Sequence, residues 1–259
     1  QIKRHGRSTW EKISRCDFVF VNRLLFQKNT IDKLPGMVHN NSEGFYEKSG
    51  LNILVFNNAY EGEFNDAKMS AIELVHHGVR TATNGDVRLM PTPEQWDLIP
   101  EFVEKKVDKD QQTVQALLRY PDYDFNYRIV TQARDGGVLI TVHLDEPLPD
   151  ELQGRAGFNM EFLPSAYFEK SYIMDEQTGV FPLYPSGPMQ IKKEPPLPQY
   201  EGFSTSEQLI EKGSVQPLPL AAGRHFVLAP EDVERHVSIE SRTADLMLYD
   251  GRNKAQNGW

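Results

Sequence analysis

Cysteine is nearly missing from this sequence: its 259 residues contain one, Cys16. A single thiol excludes an internal disulfide and a zinc site built from several cysteines. It leaves the compartment open, because secreted bacterial proteins often carry no disulfide. Positive charge is also short, with 28 Lys and Arg against 37 Asp and Glu, formally −9 at pH 7. No basic tract offsets that balance, which excludes a nucleic-acid backbone or an anionic membrane surface as the partner. No apolar run approaches the ~18–20 residues of a membrane-spanning helix. The chain opens Gln1-Ile2-Lys3-Arg4-His5, so the expectation is that any secretory leader has already been removed. Glycine-rich phosphate loops, GxSxG, HExxH and EF-hand patterns are absent as well, and no cofactor or metal is expected.

What is present is alternation with a period of two. Phe125 to Arg134 and Gly137 to Leu144 alternate on either side of Asp135-Gly136. A two-residue Asp-Gly link between such runs predicts a hairpin, since a type I′ turn needs positive φ at both central residues. The register follows: Ala133 faces Val138, Thr131 faces Ile140, Ile129 faces Val142 and Tyr127 faces Leu144. These pairs share one largely apolar face, and a slip of one residue would scatter them across both. Arg128 across from His143 lies on the other face.

Further strands are expected at Phe18–Val21, Leu51–Phe56, Ala71–Val75, Val87–Met90, Val114–Tyr120, Phe158–Leu163, Ala166–Met174, Phe226–Ala229, Val237–Ser241 and Leu246–Tyr249. Val114 to Leu144 reads as three antiparallel strands, turned first at Pro121-Asp122-Tyr123-Asp124. Many short strands separated by turn signals define an all-β protein, here a large antiparallel two-sheet β-sandwich. One or two short helices interrupt it. Thr92-Pro93-Glu94 supplies a cap and a first-turn proline, and Ser204-Thr205-Ser206-Glu207 forms a capping box before Gln208–Lys212. Phe181 to Pro198 holds six of the 17 prolines and reads as a long ordered loop, because Phe181, Leu183, Tyr184 and Met189 are too apolar for a flexible spacer. Asp250-Gly251 and the closing Asn257-Gly258-Trp259 look like a turn and a strand entry. The expected organisation is a single sandwich domain over residues 1–259, the N-terminal part of a longer polypeptide.

Few residues carry evident chemistry. His76 and His77 are neighbours in a strand-like run and would point to opposite faces, so one packs and one is solvated. Asp122 and Asp124 suit a turn. Asn40-Asn41-Ser42 matches a glycosylation sequon. In Phe158-Asn159-Met160-Glu161-Phe162 the large apolar residues share one face, leaving Asn159 and Glu161 on the other. Extending the strand reading places Tyr167 with Glu169 and Ser171 on one face. Amide, carboxylate and tyrosine together can hydrogen-bond and stack on a sugar. The same set serves equally as a polar contact between sheets or a surface for another domain. Arg80 and Arg88 together could clamp a carboxylate, or pair with Glu73 and Asp86, and Asn84-Gly85 between them is another turn signal.

Four stretches are familiar in combination: Asn65-Asp66-Ala67-Lys68-Met69-Ser70 through Asp86-Val87-Arg88-Leu89, Pro91 to Asp97, Gly157 to Pro164, and Phe181 to Met189. Together they resemble the N-terminal β-sandwich portion of large secreted glycosidases of gut Bacteroidetes, of the kind grouped with glycoside hydrolase family 9. In such proteins the sandwich precedes an (α/α)₆ toroid that carries the catalytic carboxylates. The Asp-Ala-Gly-Asp-type motif that holds the nucleophilic water in that family is missing here, and no catalytic residue is carried over. The resemblance implies an accessory domain active in polysaccharide breakdown, in the bacterial periplasm or outside the cell. Its partners would be a polysaccharide or oligosaccharide and the catalytic domain of the same polypeptide. Asn159, Glu161, Tyr167, Tyr184 and Arg88 are the candidate glycan contacts. A free-standing carbohydrate-binding protein is the alternative.

Overall fold

The computed structural model describes residues 15–21, 39–61, 67–89, 99–134, 136–185, 189–191 and 215–254. In chain order the strands are β1 (Arg15–Val21), β2 (His39–Asn40), β3 (Tyr46–Lys48), β4 (Leu51–Val55), β5 (Ala59–Glu61), β6 (Ala67–Met69) and β7 (Ile72–His76). There follow β8 (Val79–Leu89), β9 (Glu101–Asp108), β10 (Thr113–Tyr120), β11 (Phe125–Arg134), β12 (Gly137–Leu144), β13 (Ala156–Phe162) and β14 (Ser171–Met174). The last are β15 (Gln177–Val180), β16 (Met189–Ile191), β17 (Val215–Pro217), β18 (Ala221–Gly223), β19 (His225–Leu228), β20 (Val237–Ser241) and β21 (Leu246–Leu248). Among the described residues one short α-helix, α1, spans Pro164–Tyr167.

These strands build an all-β fold around two antiparallel sheets. The larger has nine strands in the order β15-β14-β19-β20-β1-β12-β11-β10-β9, and the smaller has six in the order β13-β8-β7-β4-β3-β2. Strand β1 pairs with β12 on one side and β20 on the other, which joins the chain's late strands to its central meander. The β11–β12 hairpin has the register its alternation dictates: Ala133 with Val138, Thr131 with Ile140, Ile129 with Val142 and Tyr127 with Leu144. Gly136 has φ +86°, as the tight turn requires, while Asp135 lies outside the described residues. Pro121–Tyr123 forms one 3₁₀ turn ending on a left-handed Asp124, and this reverses β10 into β11.

Both sheets contribute to one core. Ile53, Val55, Ile72, Leu74 and Leu89 meet Val114, Leu118, Ile129, Val138 and Ile140, all buried. Each such side chain contributes roughly 1.5–3 kcal/mol on leaving water. Tyrosines tie the layers together. Tyr127 donates to Asp86 Oδ1 at 2.8 Å, Tyr120 donates to the Val87 carbonyl at 2.7 Å, and the Tyr46 hydroxyl lies 3.0 Å from Thr131 Oγ1. A buried phenol needs such a partner, because an unbonded hydroxyl in an apolar interior is costly. Burial pushes the Tyr46 hydroxyl up to about 12 and holds that of Tyr127 well above its ordinary value, so both stay protonated donors.

Two sequence expectations change. Ala166–Met174 is not one strand: α1 takes up Pro164–Tyr167, a turn follows, and β14 starts only at Ser171. Pro164 explains this, since its fixed φ opens a helical turn and holds Leu163 extended. Asn84-Gly85 is not a chain reversal but a bulge inside the eleven-residue β8. The reversal lies earlier, at His77 (φ +48°) and Gly78 (φ +78°), a two-residue turn between β7 and β8. The helices expected at Thr92–Glu94 and Ser204–Lys212, and the strand entry at Asn257–Trp259, lie outside the described residues. Among the described residues no helix is long and apolar enough to cross a membrane.

Candidate functional site

The edge of the six-stranded sheet carries three of the candidate residues. Strand β13 pairs with β8 as Gly157 with Arg88 and Asn159 with Asp86, then as Glu161 with Thr83, so β8 carries one extra residue. Asn84 takes that residue's left-handed conformation at φ +55°, which asparagine tolerates better than most side chains. Gly85 is required beside it: a Cβ there would lie 2.7 Å from both Ile72 Cβ and Met160 Cε. Glu161 closes the arrangement by accepting a hydrogen bond from Asn84 Nδ2 at 2.7 Å. Its carboxylate therefore holds the bulge as well as facing outward.

Along this strand pair Asn159 is exposed, while Glu161 and Arg88 are half-buried. Phe158 and Met160 pack against the core and Phe162 is buried, as alternation requires. This edge carries an amide, a carboxylate and a guanidinium within one strand pair, groups that suit the hydroxyls of a sugar. Arg80 is used differently. Its Nε pairs with Glu73 Oε1 at 2.9 Å, and the Glu73 carboxylate also accepts from Asn58, Ser70 and Thr83. Glu73 is buried, and this set of donors satisfies it.

Tyr167 does not belong to that face. It ends α1 in the core, meets Phe162 edge-on at 5.7 Å and donates to the Arg235 carbonyl at 3.2 Å. Phe162 projects from β13 opposite to Glu161, so Tyr167 lies on the core side of the sheet. The strand reading failed here for the reason given by Pro164. Glu169, expected beside it, is instead a left-handed turn residue at φ +58°.

Tyr184 stands apart on the segment after β15. Phe181 is buried and anchors that segment, whereas Tyr184 is 76% exposed. Arg252 fastens the chain between them: Nη1 donates to the Leu183 carbonyl at 3.0 Å and Nη2 to the Pro182 carbonyl at 2.8 Å. The same guanidinium pairs with buried Asp250 and lies over the Phe168 ring, 5.7 Å from its centroid. An aromatic ring is thus presented to solvent from a backbone that is tied down. Sequence reading missed Arg252, although the preceding Asp250-Gly251 marked a turn there.

A buried polar pair lies at the β7–β8 end, where one of the two adjacent histidines is expected to pack. His76 is 3% exposed and its Nδ1 lies 2.7 Å from Thr81 Oγ1, while Nε2 has no partner. Burial, with Arg235, His77, Lys48 and His236 adding charge of the same sign, pushes the imidazole down to about 4. His76 is consequently neutral near pH 7, and His77 is solvated in the turn. The sequon residue Asn40 is buried and donates to the Thr113 carbonyl. Among the described residues no group of three or more His, Cys, Asp or Glu side chains is placed to hold a metal ion.

Fold and site together define an antiparallel β-sandwich with one polar edge face and one clamped aromatic loop. Compared with protein-family models, curated proteins and solved structures, the chain returns no match.

Proposed function

We propose that this chain is an accessory β-sandwich domain of a polysaccharide-degrading glycoside hydrolase, working in the bacterial periplasm or outside the cell. It packs on a catalytic (α/α) toroid of the same polypeptide and lines the glycan cleft. The reading rests on the resemblance of its segments to family 9 glycosidases, and one structural observation supports it: the solvent-facing Tyr184 ring on the Arg252-tethered loop. An exposed aromatic on rigid backbone offers a stacking surface for the apolar face of a pyranose at little entropic cost. Asn159 and Arg88 on the β8–β13 edge supply hydrogen bonds of the kind sugar hydroxyls need. Tyr167 has no part in binding, being inside the core.

Titration calorimetry of the chain against a panel of plant and microbial oligosaccharides tests the binding. The expected result is binding to at least one that weakens about tenfold or more in Tyr184→Ala, the loss of one stacking contact. Undiminished affinity in that variant would remove the loop from the reading. The native reading frame past Trp259 tests the rest: a helical region with spaced carboxylates is expected. A stop codon there, with sugar binding intact, would favour a free-standing carbohydrate-binding protein.

A further inference from the structure

Positive charge collects at one end of the sandwich, although the whole chain carries a formal −9. Lys48 closes β3, Leu51 opens β4 and His76 closes β7, and the three are partners in one row. Directly opposed residues share a face of the sheet. Leu51 is buried, so Lys48 and His76 also start on the core side. Lys48 reaches the facing sheet, its Nζ donating to the Gly136 carbonyl at 3.2 Å. His77 follows in the β7–β8 turn, its amide donating to the Gly50 carbonyl at 2.9 Å. Its ring lies so close to that glycine that a Cβ there would meet Cε1 at 2.7 Å. The segment between β19 and β20 adds Arg235 and His236, and the Arg235 carbonyl accepts from Tyr167 at 3.2 Å. Lys48, His77, Arg235 and His236 are the four charged groups that act most on His76, and all are basic.

Among the described residues none of these four makes an ion pair. Arg235 donates one N–H to the Glu234 carbonyl at 3.0 Å, and the neighbouring Asp232 is held by Lys170 Nζ at 2.8 Å. His76 itself is 3% exposed, and its buried Nε2 has no partner. A buried nitrogen left unsatisfied points to a missing partner. Cations gathered without counter-charge raise the local potential in favour of an anion. A compact oxyanion answers both, because its oxygens accept charge-assisted hydrogen bonds from several donors at once. We propose that this end of the sandwich binds a sulfate or phosphate group, captured by Lys48, His77, Arg235 and His236 with His76 Nε2 as the innermost donor. Nε2 donates in the imidazolium and in one of the two neutral tautomers. This inference stands apart from the glycan contacts at Tyr184 and the β8–β13 edge.

The test is titration calorimetry of the whole chain with sodium sulfate, with ionic strength held constant by sodium chloride. Saturable binding is expected, with a shift of the His76 ring nitrogens in NMR spectra of the ¹⁵N-histidine-labelled chain. Sulfate keeps its charge between pH 7.5 and 5.5, while an anion in the site favours protonated histidines. Its affinity should therefore rise about tenfold over that interval. Arg235→Gln and Lys48→Gln should each weaken binding about tenfold, the loss of one charge-assisted hydrogen bond. Arg242→Gln, at the far end of β20, should leave it unchanged. Glucose 6-sulfate binding more tightly than sulfate would assign the site to an ester on a sugar, and the reverse order to the free ion. Sulfate acting no differently from chloride, or binding that Arg242→Gln weakens as much as the other two, would overturn the proposal.

Discussion

Tyr127 and Tyr184 are the same residue put to opposite uses. Tyr127 stands near the start of β11, its ring clustered with those of Phe125 and Tyr120 and its hydroxyl bonded to Asp86 in the facing sheet. Tyr184 stands on a loop whose carbonyls are held by Arg252, and its own ring meets solvent. In the first region the side chain is the fastening. In the second the backbone is fastened by another residue and the side chain is left available. A tyrosine's role thus follows from which part of it the surroundings have already satisfied.

Removing each in turn should separate the two regions by stability. Tyr127→Ala deletes a core ring and strips Asp86 of a donor, so a loss of about 3–5 kcal/mol is expected in chemical denaturation. Tyr127→Phe keeps the ring and should cost about 1–2 kcal/mol, isolating the hydroxyl. If the two variants lost the same amount, the packing part of this account would be wrong.

Next in size is the acid dependence of His76. Its folded pKa of about 4 lies below the ordinary 6.5, so the unfolded chain binds the extra proton over that window. Its contribution is complete above pH 6.5 and is lost as pH falls toward 4, by roughly 3 kcal/mol in all. Unfolding curves of the wild type and His76→Gln across this range should converge as the pH drops. Parallel curves would show that this imidazole does not report the folded state.

A smaller effect is expected at the clamp. Arg252→Ala leaves buried Asp250 without its ion pair and releases two carbonyls, at a cost of about 2 kcal/mol. Faster amide exchange should appear around Leu183 and Tyr184, while the β11–β12 hairpin stays protected. Exchange that rises equally in both would mean the loop is not a separate unit. Smallest of all, Tyr184→Ala should change stability by no more than about 0.5 kcal/mol, as an exposed side chain does. A larger loss would mean that the ring is part of the fold's support.

The hairpin and the loop differ just as much in how far they can be read from the chain. Phe125 to Leu144 is legible because strand alternation and the Asp-Gly turn are local, and one register satisfies both. The apolar side of Phe158 to Phe162 is legible for the same reason. Tyr167 misleads because Ala166-Tyr167-Phe168 fits an apolar stretch of strand, while Pro164, two residues before it, changes the backbone that alternation assumes. Asn84-Gly85 misleads in another way: Asn84 does adopt left-handed backbone, but within a strand.

Local pattern was therefore enough for the all-β class, the central meander, its register and the burial of one of the two adjacent histidines. The fate of Glu161 depended on Asn84, 77 positions away, and the display of Tyr184 on Arg252, 68 positions away. Such partners meet only when sheets stack and loops close over them. Periodicity records which face of a strand is apolar, but it carries no information about what will be brought up against that face.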